Sequence, residues 1–368
     1  MKKVLMCVID GCSPDYISRE TAPELFQIVD ECGFYKIIQG AVPTVTNVNH
    51  ACILTGKTPE ETGIIGNYYY NREICEEGFI EEKSFLKAET LFDKFYEAGQ
   101  SSAIIAVKHK VIGVYGEHAS ITISAEKPVE DVLKKIGLPS PPSINDEKCT
   151  KWVMNAAFEC IRKQSPDFIY CTTNDYIFHH YAPGTPEAKR QISFIDEYIS
   201  AIHKLESDRQ IFILADHGMN QKHKLLDFRK TAEKNGIELF ALPPLKDRYI
   251  ANHRFQEGGV LFLFLKNPAK AEDLIELAEK TEEVEKILTA REAAEQYSLP
   301  EDSIGDYVLF AAKDCAFAEL ESERMNTNDS RTHGSLYERE IPFIAINVKA
   351  EQERFKYSWD IKNAIIDF

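Results

Sequence analysis

Carboxylates and histidines follow three apolar segments of this sequence, at the point where each segment ends. Asp10 follows "KVLMCVI", Asp175 follows "FIYCTTN", and Asp216 and His217 follow "QIFILA". In open α/β sheets, ligands gather outside the carboxyl ends of the strands, so these side chains are expected at one edge of a sheet. Several carboxylates brought together need cations to neutralise them. The pattern therefore favours a metal site over three unrelated turn residues.

Two more histidines extend this candidate site. His179 lies four residues after Asp175, so on a helical turn the two would share a face, and His333 comes just before the last apolar run. Mixed Asp and His ligation suits Zn²⁺, with Mn²⁺ or Fe as alternatives. The whole set exceeds what one tetrahedral ion can use. It predicts two ions about 3.5 to 4 Å apart, an arrangement that clamps the attacking and leaving oxygens of a phosphoryl transfer.

A nucleophile for such a transfer is available in the segment "AVPTVTNVNHACILTG" at 41–56. It carries hydroxyls at Thr44, Thr46 and Thr55, and Gly56 is suited to end a helix. A threonine at the start of a helix could have its alkoxide stabilised by a metal ion and by the helix N-terminus. Plain helix capping is the competing interpretation. These observations alone do not choose between Thr44 and Thr46.

The elements that must position these residues alternate between strand and helix. Five short apolar runs are typical of parallel strands covered on both faces. Their sequences and ranges are "KVLMCVI" (3–9), "SAIIAV" (102–107), "DFIYCTT" (167–173), "QIFILA" (210–215) and "PFIAIN" (342–347). Between them, helical patterns end at Gly33 and Gly99 as C′ residues, and another begins at Pro186. The alternation predicts an α/β fold, a three-layer α/β/α sandwich around a mostly parallel sheet.

The pattern of apolar and charged residues changes from about residue 225 to 328, which indicates a second, smaller unit. There, "GGVLFLFL" and "DYVLFAA" frame the charged helical stretch "NPAKAEDLIELAEKTEEVEKIL". We predict a catalytic domain formed by 1–224 and 329–368, with 225–328 as an inserted α+β cap. A chain of 368 residues is long enough for both, at about 150 residues per domain.

Composition limits the partners and the compartment. A net charge of −16 argues against nucleic acid polymers and anionic membranes, so any anionic substrate needs cations concentrated locally. The first apolar run breaks at Asp10, too soon for a signal peptide or a membrane span. Nine cysteines without a CxxC pair favour reduced thiols in a cytoplasmic protein. A homodimer is left open.

Six separated segments carry a resemblance to a known family. The order is Asp10, "TNVNHACILTG", "GIIGNYYYN", "DYIFHHYAPGTPEA", "ADHGMN" and "THG". This order resembles the alkaline phosphatase superfamily, in its nucleotide pyrophosphatase/phosphodiesterase branch, and within that branch the phosphonoacetate hydrolases. The motifs extend from residue 4 to residue 347, so the implied fold is alkaline phosphatase-like throughout.

The resemblance implies roles for single residues. Thr46 would be the nucleophile, because it stands three residues before Asn49 as the branch's nucleophile does. Asn67 would donate a hydrogen bond to a phosphoryl oxygen. His180 competes with His179 as a ligand, but the family's four-residue step from the aspartate favours His179. One zinc ion would be held by Asp175, His179 and His333, and the other by Asp10, Asp216, His217 and the Thr46 oxygen.

Two lysines in "AIIAVKHKVIG" narrow the implied substrate. Lys108 and Lys110 would ordinarily be read as solvated surface residues, but they match the paired lysines with which phosphonoacetate hydrolases hold a carboxylate. The resemblance therefore implies cleavage of phosphonoacetate to acetate and phosphate through a phosphothreonine.

Two alternatives stay open. The first is a nucleotide pyrophosphatase/phosphodiesterase acting on a phosphate ester with the same metals, with aromatics from "YYY" at 68–70 either stacking a base or simply packing. His50, which is more like the nucleotide pyrophosphatases, favours this alternative, whereas Val48 departs from the branch, where a proline is usual. Asn71 also departs from the family, at a position where an acidic residue is more common. The second alternative is a metal-dependent phosphonate sensor without turnover.

Overall fold

The computed structural model describes residues 2–366 and places the predicted apolar runs in one seven-stranded sheet. The strands are β1 (Val4–Val8), β2 (Gly33–Gln39), β3 (Tyr68–Asn71), β4 (Glu76–Phe79), β5 (Ser102–Ala106), β6 (Ile121–Ser124), β7 (Phe168–Thr172), β8 (Gln210–Leu214), β9 (Asn220–Leu226), β10 (Leu239–Leu242), β11 (Val260–Leu265), β12 (Val284–Thr289), β13 (Tyr307–Ala311), β14 (Cys315–Phe317), β15 (Arg324–Thr332) and β16 (Glu340–Ile346). The helices are α1 (Pro23–Cys32), α2 (Thr46–Thr55), α3 (Pro59–Thr62), α4 (Leu91–Glu97), α5 (His109–Tyr115), α6 (Glu130–Ile136), α7 (Lys148–Gln164), α8 (Tyr176–His180), α9 (Pro186–Leu205), α10 (Phe228–Lys234), α11 (Ala271–Lys280), α12 (Ala290–Tyr297) and α13 (Ile361–Ile366).

The main sheet has the strand order β2-β16-β8-β1-β7-β5-β6, and β8, β1, β7, β5 and β6 run parallel. The prediction that "PFIAIN" is another parallel strand is wrong, because β16 is antiparallel to both of its neighbours. Only a short turn separates His333, at the carboxyl edge of the sheet, from the start of β16. A strand that begins at that edge must run back across the sheet, and an apolar run does not encode this direction.

Helices cover both faces of the main sheet, as expected of a three-layer α/β/α sandwich. Helices α1 and α7 contact α9, whereas α2 contacts α3, α5 and α13. In α9 the predicted apolar stripe is fully buried, and its members are Ile192, Ile195, Ile199 and Ile202. Gly99 has the left-handed backbone expected of a C′ residue, with φ +68°.

Gly33 does not have the left-handed C′ conformation that the sequence predicted for it. Its φ is −146°, and the chain passes directly from α1 into β2. The reason for a glycine is a close approach of two strands, since a Cβ at this position would lie 2.6 Å from the carbonyl oxygen of Ala345. The strand β2 was not predicted, because its exposed and half-buried residues do not form an apolar run.

The region after β8 forms two further sheets. One has the order β10-β11-β13-β12 and is antiparallel, with α10 against β10 and with α11 and α12 against β12. The other has the order β14-β9-β15. Strand β9 begins before residue 225 and strand β15 ends after residue 328, so the elements do not change at the predicted cap boundaries. The division into domains stays a prediction. Within residues 2–366, every helix is too short or too polar to cross a bilayer.

Candidate metal centre and active site

Four neighbouring parallel strands deliver polar side chains to one edge of the main sheet. In the order β8, β1, β7 and β5, each strand is followed within two or three residues by part of the candidate site. These side chains are buried, each at most 3% exposed. Asp216 and His217 follow β8, Asp10 follows β1, Asp175 follows β7, and Lys108 follows β5. The edge of the sheet, rather than any single loop, therefore assembles the cluster.

The first group of potential ligands contains Asp175, His179 and His333, as predicted, together with His253. One nitrogen or oxygen of each side chain lies within 4.8 Å of those of the other three. Asp175 precedes α8 and His179 lies on it, with Nε2 of His179 3.2 Å from Oδ2 of Asp175. His180, the alternative to His179, points away and is exposed. The four-residue step from Asp175 thus brings His179, and not His180, to the site.

Three of the histidines are oriented by backbone carbonyls. His179, His217 and His333 each direct Nδ1 at a carbonyl oxygen, which can only accept, so Nδ1 carries the proton and Nε2 has a free lone pair. The acceptors are Arg331, Gly218 and Thr44, at 2.7, 2.9 and 2.6 Å respectively. Burial lowers the pKa of His217 and of His333, which keeps both imidazoles neutral. Neutral imidazole is the form that binds a metal.

A second group of potential ligands contains Asp10, Asp175 and His217, whose ligand atoms again lie within 4.8 Å of one another. Oδ2 of Asp216 lies 3.3 Å from Nε2 of His217, and Oγ1 of Thr46 lies 3.4 Å from the same nitrogen. All the ligands predicted for the second ion therefore meet around His217. Asp175 belongs to both groups, a sharing that the sequence did not predict.

The electrostatics of the cluster fit divalent cations. Burial, reinforced by the charge of Asp175, raises the pKa of Asp10 to about 8 and that of Asp216 to about 7. Burial also opposes ionisation of Asp175, but Lys108 and His179 outweigh it and hold its pKa well below the usual range. Oδ1 of Asp10 and Oδ2 of Asp216 find no hydrogen-bond donor among residues 2–366. Buried carboxylate oxygens without donors are suited to cation ligation.

Lys108 lies within the carboxylate cluster rather than on the surface. It follows β5 directly, and its ammonium is 2.9 Å from Asp10 and 2.8 Å from Asp175. Burial lowers the pKa of Lys108, but these carboxylates reverse the effect and raise it well above its usual value. The lysine therefore stays charged in a buried position between the two ligand groups.

Asn67 and Lys110 meet at one carboxylate. The Asn67 side chain donates to Oδ2 of Asp247 at 3.0 Å, and the Lys110 ammonium pairs with the same oxygen. All three side chains are buried. An amide donor and an ammonium directed at one carboxylate form a site that recognises an anionic oxygen.

The two candidate nucleophiles have different surroundings. Thr44 is fully engaged, since its hydroxyl donates to the carbonyl of Ser335 at 2.8 Å and accepts from the amide of Gly334 at 2.9 Å. Thr46 is the first residue of α2, and its hydroxyl faces His217. The helix N-terminus also favours negative charge on its oxygen. This geometry favours Thr46 over Thr44 as the nucleophile.

Sequence reasoning missed the site residues that come from residues 243–259, the segment between β10 and β11, which we call the β10–β11 loop. They are Asp247, Asn252 and His253, all buried. None of them follows an apolar run or stands at helical spacing from another candidate, so no sequence signal marked them. Sequence reasoning also assigned no partner to His50, and in the structure its Nδ1 contacts the hydroxyl of Tyr170.

A buried ion pair holds the segment that carries His333. The Lys222 ammonium lies 3.0 Å from Glu338, and neither side chain is exposed. The Glu338 carboxylate also accepts from the amide of Ser335 at 2.9 Å and from the Asn220 side chain at 2.9 Å. The ion pair thus fixes the turn just after His333.

Replacing this lysine tests the role of the ion pair in stability. Lys222→Met leaves the Glu338 carboxylate buried without its cation, and we expect a loss of about 3 to 5 kcal/mol in the free energy of unfolding, measured by urea titration. Lys134→Met, which breaks an exposed pair with Glu130, is the matched control and should change little. Equal stability of both variants would contradict the role given to Lys222.

Comparisons with solved structures place this arrangement among known folds. Phosphonoacetate hydrolase from Sinorhizobium meliloti 1021, in complex with phosphonoacetate, is 26% identical and matches with a TM-score of 0.87, over 98% of this chain and 94% of that chain. Murine ectonucleotide pyrophosphatase/phosphodiesterase 5 in complex with AMP matches with a TM-score of 0.72 at 16% identity, over 100% of this chain and 96% of that chain. The second likeness bears on the fold alone.

Sequence comparisons give relatives of the same kind. An uncharacterized pyrophosphatase/phosphodiesterase of Schizosaccharomyces pombe is 22% identical over 59% of this chain and 44% of its own length. The bis(5'-adenosyl)-triphosphatase enpp4 of Mus musculus is 22% identical over 66% of this chain and 53% of its own length. The chain thus spans about half the length of these two curated relatives. A family described as type I phosphodiesterase / nucleotide pyrophosphatase matches residues 4–336. With nearly the whole length matched and the site at the predicted sheet edge, the chain belongs to the type I phosphodiesterase/nucleotide pyrophosphatase family.

Proposed function

We propose that this enzyme cleaves the carbon–phosphorus bond of phosphonoacetate, giving acetate and phosphate. The observation that carries the proposal is the pair of buried lysines beside the candidate metal centre. Lys108 contacts carboxylates of both ligand groups. Lys110 and Asn67 both contact the carboxylate of Asp247. The structural similarity to a phosphonoacetate hydrolase complex supports the same substrate class.

A substrate with an anionic group at each end suits this arrangement. In a protein of net charge −16, two buried ammonium groups are a local concentration of positive charge. The phosphonate would lie against Thr46 and the amide of Asn67, and the carboxylate against the two lysines. For this, Asp247 must release Lys110 and Asn67 to the substrate, because its carboxylate now contacts both.

The chemical step is an in-line displacement at phosphorus. Two divalent ions, held by the two ligand groups, would supply the Lewis acidity that favours the Thr46 alkoxide and offsets charge on the phosphoryl oxygens. The Thr46 oxygen forms a bond to phosphorus, the carbon–phosphorus bond breaks, and its electron pair goes to the acetate carbon as an enolate. The lysines stabilise that enolate through its carboxylate, and a proton completes acetate.

The second step releases phosphate. Water attacks the phosphothreonine at phosphorus, the bond to the Thr46 oxygen breaks, and the threonine hydroxyl recovers its proton. Asn67 would hold a phosphoryl oxygen through both steps. This keeps the phosphoryl group aligned first with the leaving carbon and then with the attacking water. Cytoplasmic location is part of the proposal, since all nine cysteines, which lie within the described residues, are free thiols.

A phosphodiesterase or nucleotide pyrophosphatase activity is the second candidate, and the family match over residues 4–336 favours it. In that function, aromatic side chains near the site would stack a base. The three tyrosines of β3 instead pack within the protein, Tyr68 against Phe79 and Tyr70 against Phe240 and Phe264. Tyr69 packs against Phe85. These contacts weaken the case for a base site at β3.

The substrate is tested by comparing kcat/KM of the zinc-loaded protein for phosphonoacetate, a p-nitrophenyl phosphodiester and a p-nitrophenyl monoester. We expect phosphate release chiefly from phosphonoacetate. Lys108→Met should lower kcat/KM for phosphonoacetate by about a hundredfold, because it removes a buried charge-assisted contact with the substrate carboxylate. The diester, which has no carboxylate, should lose much less.

The matched control is Lys134→Met, which removes an exposed lysine on α6 and should leave all three rates unchanged. Faster cleavage of the diester, unaffected by Lys108→Met, would instead establish the phosphodiesterase function. No turnover of any of the three compounds by zinc-loaded protein would support the non-catalytic phosphonate sensor.

A further inference from the structure

The β10–β11 loop closes over the candidate metal centre and contacts it at three points. Asp247 meets Asn67 and Lys110, as described above. The Asn252 side chain donates to Oδ1 of Asp175 at 2.6 Å. His253 packs edge-on against the ring of His179, with ring centroids 4.6 Å apart. Each end of the loop is also tied to the site.

Backbone hydrogen bonds anchor the loop at both ends. The amide of Asn67 donates to the carbonyl of Pro244 at 2.7 Å, and the amide of Gly259 donates to the carbonyl of His333 at 3.0 Å. A Cβ at Gly66 would lie 2.5 Å from that Pro244 oxygen, so the close approach of the loop depends on a glycine there. The loop that carries His253 is therefore held at both ends by residues of the site.

His253 has the surroundings of a metal ligand. Its Nδ1 is buried and has no hydrogen-bond partner among residues 2–366, although buried polar atoms are normally paired. One of its ring nitrogens lies within 4.8 Å of the ligand atoms of Asp175, His179 and His333. An ordinary buried histidine would be expected to satisfy Nδ1 with a protein acceptor.

We propose that His253 is a fourth protein ligand of the ion held by Asp175, His179 and His333. The four side chains then form a complete tetrahedral set of three nitrogens and one oxygen, which suits Zn²⁺. This inference rests on the metal centre of the proposed function but not on its substrate. It adds a ligand from the β10–β11 loop to a set that otherwise comes from α8, the residue before it and the segment after β15.

The additional ligand has a consequence for substrate entry. Catalytic zinc sites keep one position for water or substrate, whereas four protein ligands close the coordination sphere. A substrate oxygen would therefore have to add to the four side chains or replace one of them. His253 is the one carried by a loop outside the main sheet, and its exchange would move the loop that also brings Asp247 to Lys110. Coordination and substrate access are thus linked through one segment.

Metal binding without substrate tests the inference on the full chain. Zinc affinity is measured by competition with a chromophoric chelator for the wild type, His253→Ala and the exposed-histidine control His223→Ala. We expect His253→Ala to weaken one of the two zinc sites by at least about tenfold and the other little, with no change for His223→Ala. Equal zinc affinities for the wild type and His253→Ala would overturn the inference.

Replacing His253 by cysteine distinguishes metal coordination by residue 253 from a purely structural role of that residue. In His253→Cys loaded with Co²⁺, a coordinated thiolate produces a charge-transfer absorption band that the wild type lacks. A weakened site in His253→Ala without this band in His253→Cys would show that His253 supports the fold and would overturn the inference. Wild-type protein that binds no zinc would instead contradict the proposed function. Absence of phosphonoacetate turnover would leave these binding results unaffected.

Discussion

Asp175→Asn is expected to abolish binding of both divalent ions, whereas His217→Ala should remove only one. Asp175 contributes to both ligand groups, but His217 belongs to the group around Asp10 alone. Asparagine keeps the shape of the side chain and an oxygen that can still accept from Lys108 and Asn252, so the change removes the charge with little disturbance of packing. We expect kcat/KM to fall on the order of a thousandfold or more in both variants.

The measurement is the zinc content of protein equilibrated with a metal buffer, followed by kcat/KM of the same samples. Asp167→Asn is the matched control, because Asp167 lies at the amino end of β7, the strand whose carboxyl end carries Asp175. It contacts Ser101, away from the cluster, and should bind metal normally. One ion retained in Asp175→Asn, or two ions with full activity in His217→Ala, would contradict the shared assignment.

The sequence predicted the main sheet well where burial leaves a continuous apolar pattern. Strands β1, β5, β7 and β8 are buried on both faces, and their runs of Ile, Val and Phe are therefore uninterrupted. The same pattern could not give the direction of β16, which depends on where the preceding turn leaves the chain. Nor could it reveal β2, whose position at the sheet edge leaves it partly exposed.

The candidate site was predictable to the extent that strand ends define it. Asp10, Asp175, Asp216 and His217 follow strands whose carboxyl ends must meet, so their proximity follows from the parallel sheet. The β10–β11 loop is different, because its path depends on how the second sheet packs against Val42, Ile65 and Tyr70. The environment of His253 is therefore evident only in the folded structure, where a buried nitrogen without a partner among residues 2–366 marks it. Such pairing is a property of three-dimensional neighbours, not of spacing along the chain.

Thr46→Ala is expected to lower kcat by at least about a thousandfold, and Thr46→Ser to retain most of it. The proposed phosphothreonine needs an oxygen at this position, and serine supplies the same oxygen at the start of α2. The direct measurement is rapid acid quenching during turnover, followed by mass spectrometry of the peptide that contains residue 46. The wild type and Thr46→Ser should carry a phosphoryl group there, and Thr46→Ala should not.

The neighbouring threonine provides the control for this result. Thr44→Val removes the acceptor for the Gly334 amide and the donor to the Ser335 carbonyl, so it should lower the free energy of unfolding by about 1 to 3 kcal/mol. Because the Thr46 hydroxyl is untouched, the phosphorylated peptide should still form in Thr44→Val. Phosphorylation that persists in Thr46→Ala but disappears in Thr44→Val would transfer the nucleophile to Thr44. The geometry argues against that outcome, since both hydrogen bonds of the Thr44 hydroxyl must break before its oxygen can turn towards His217.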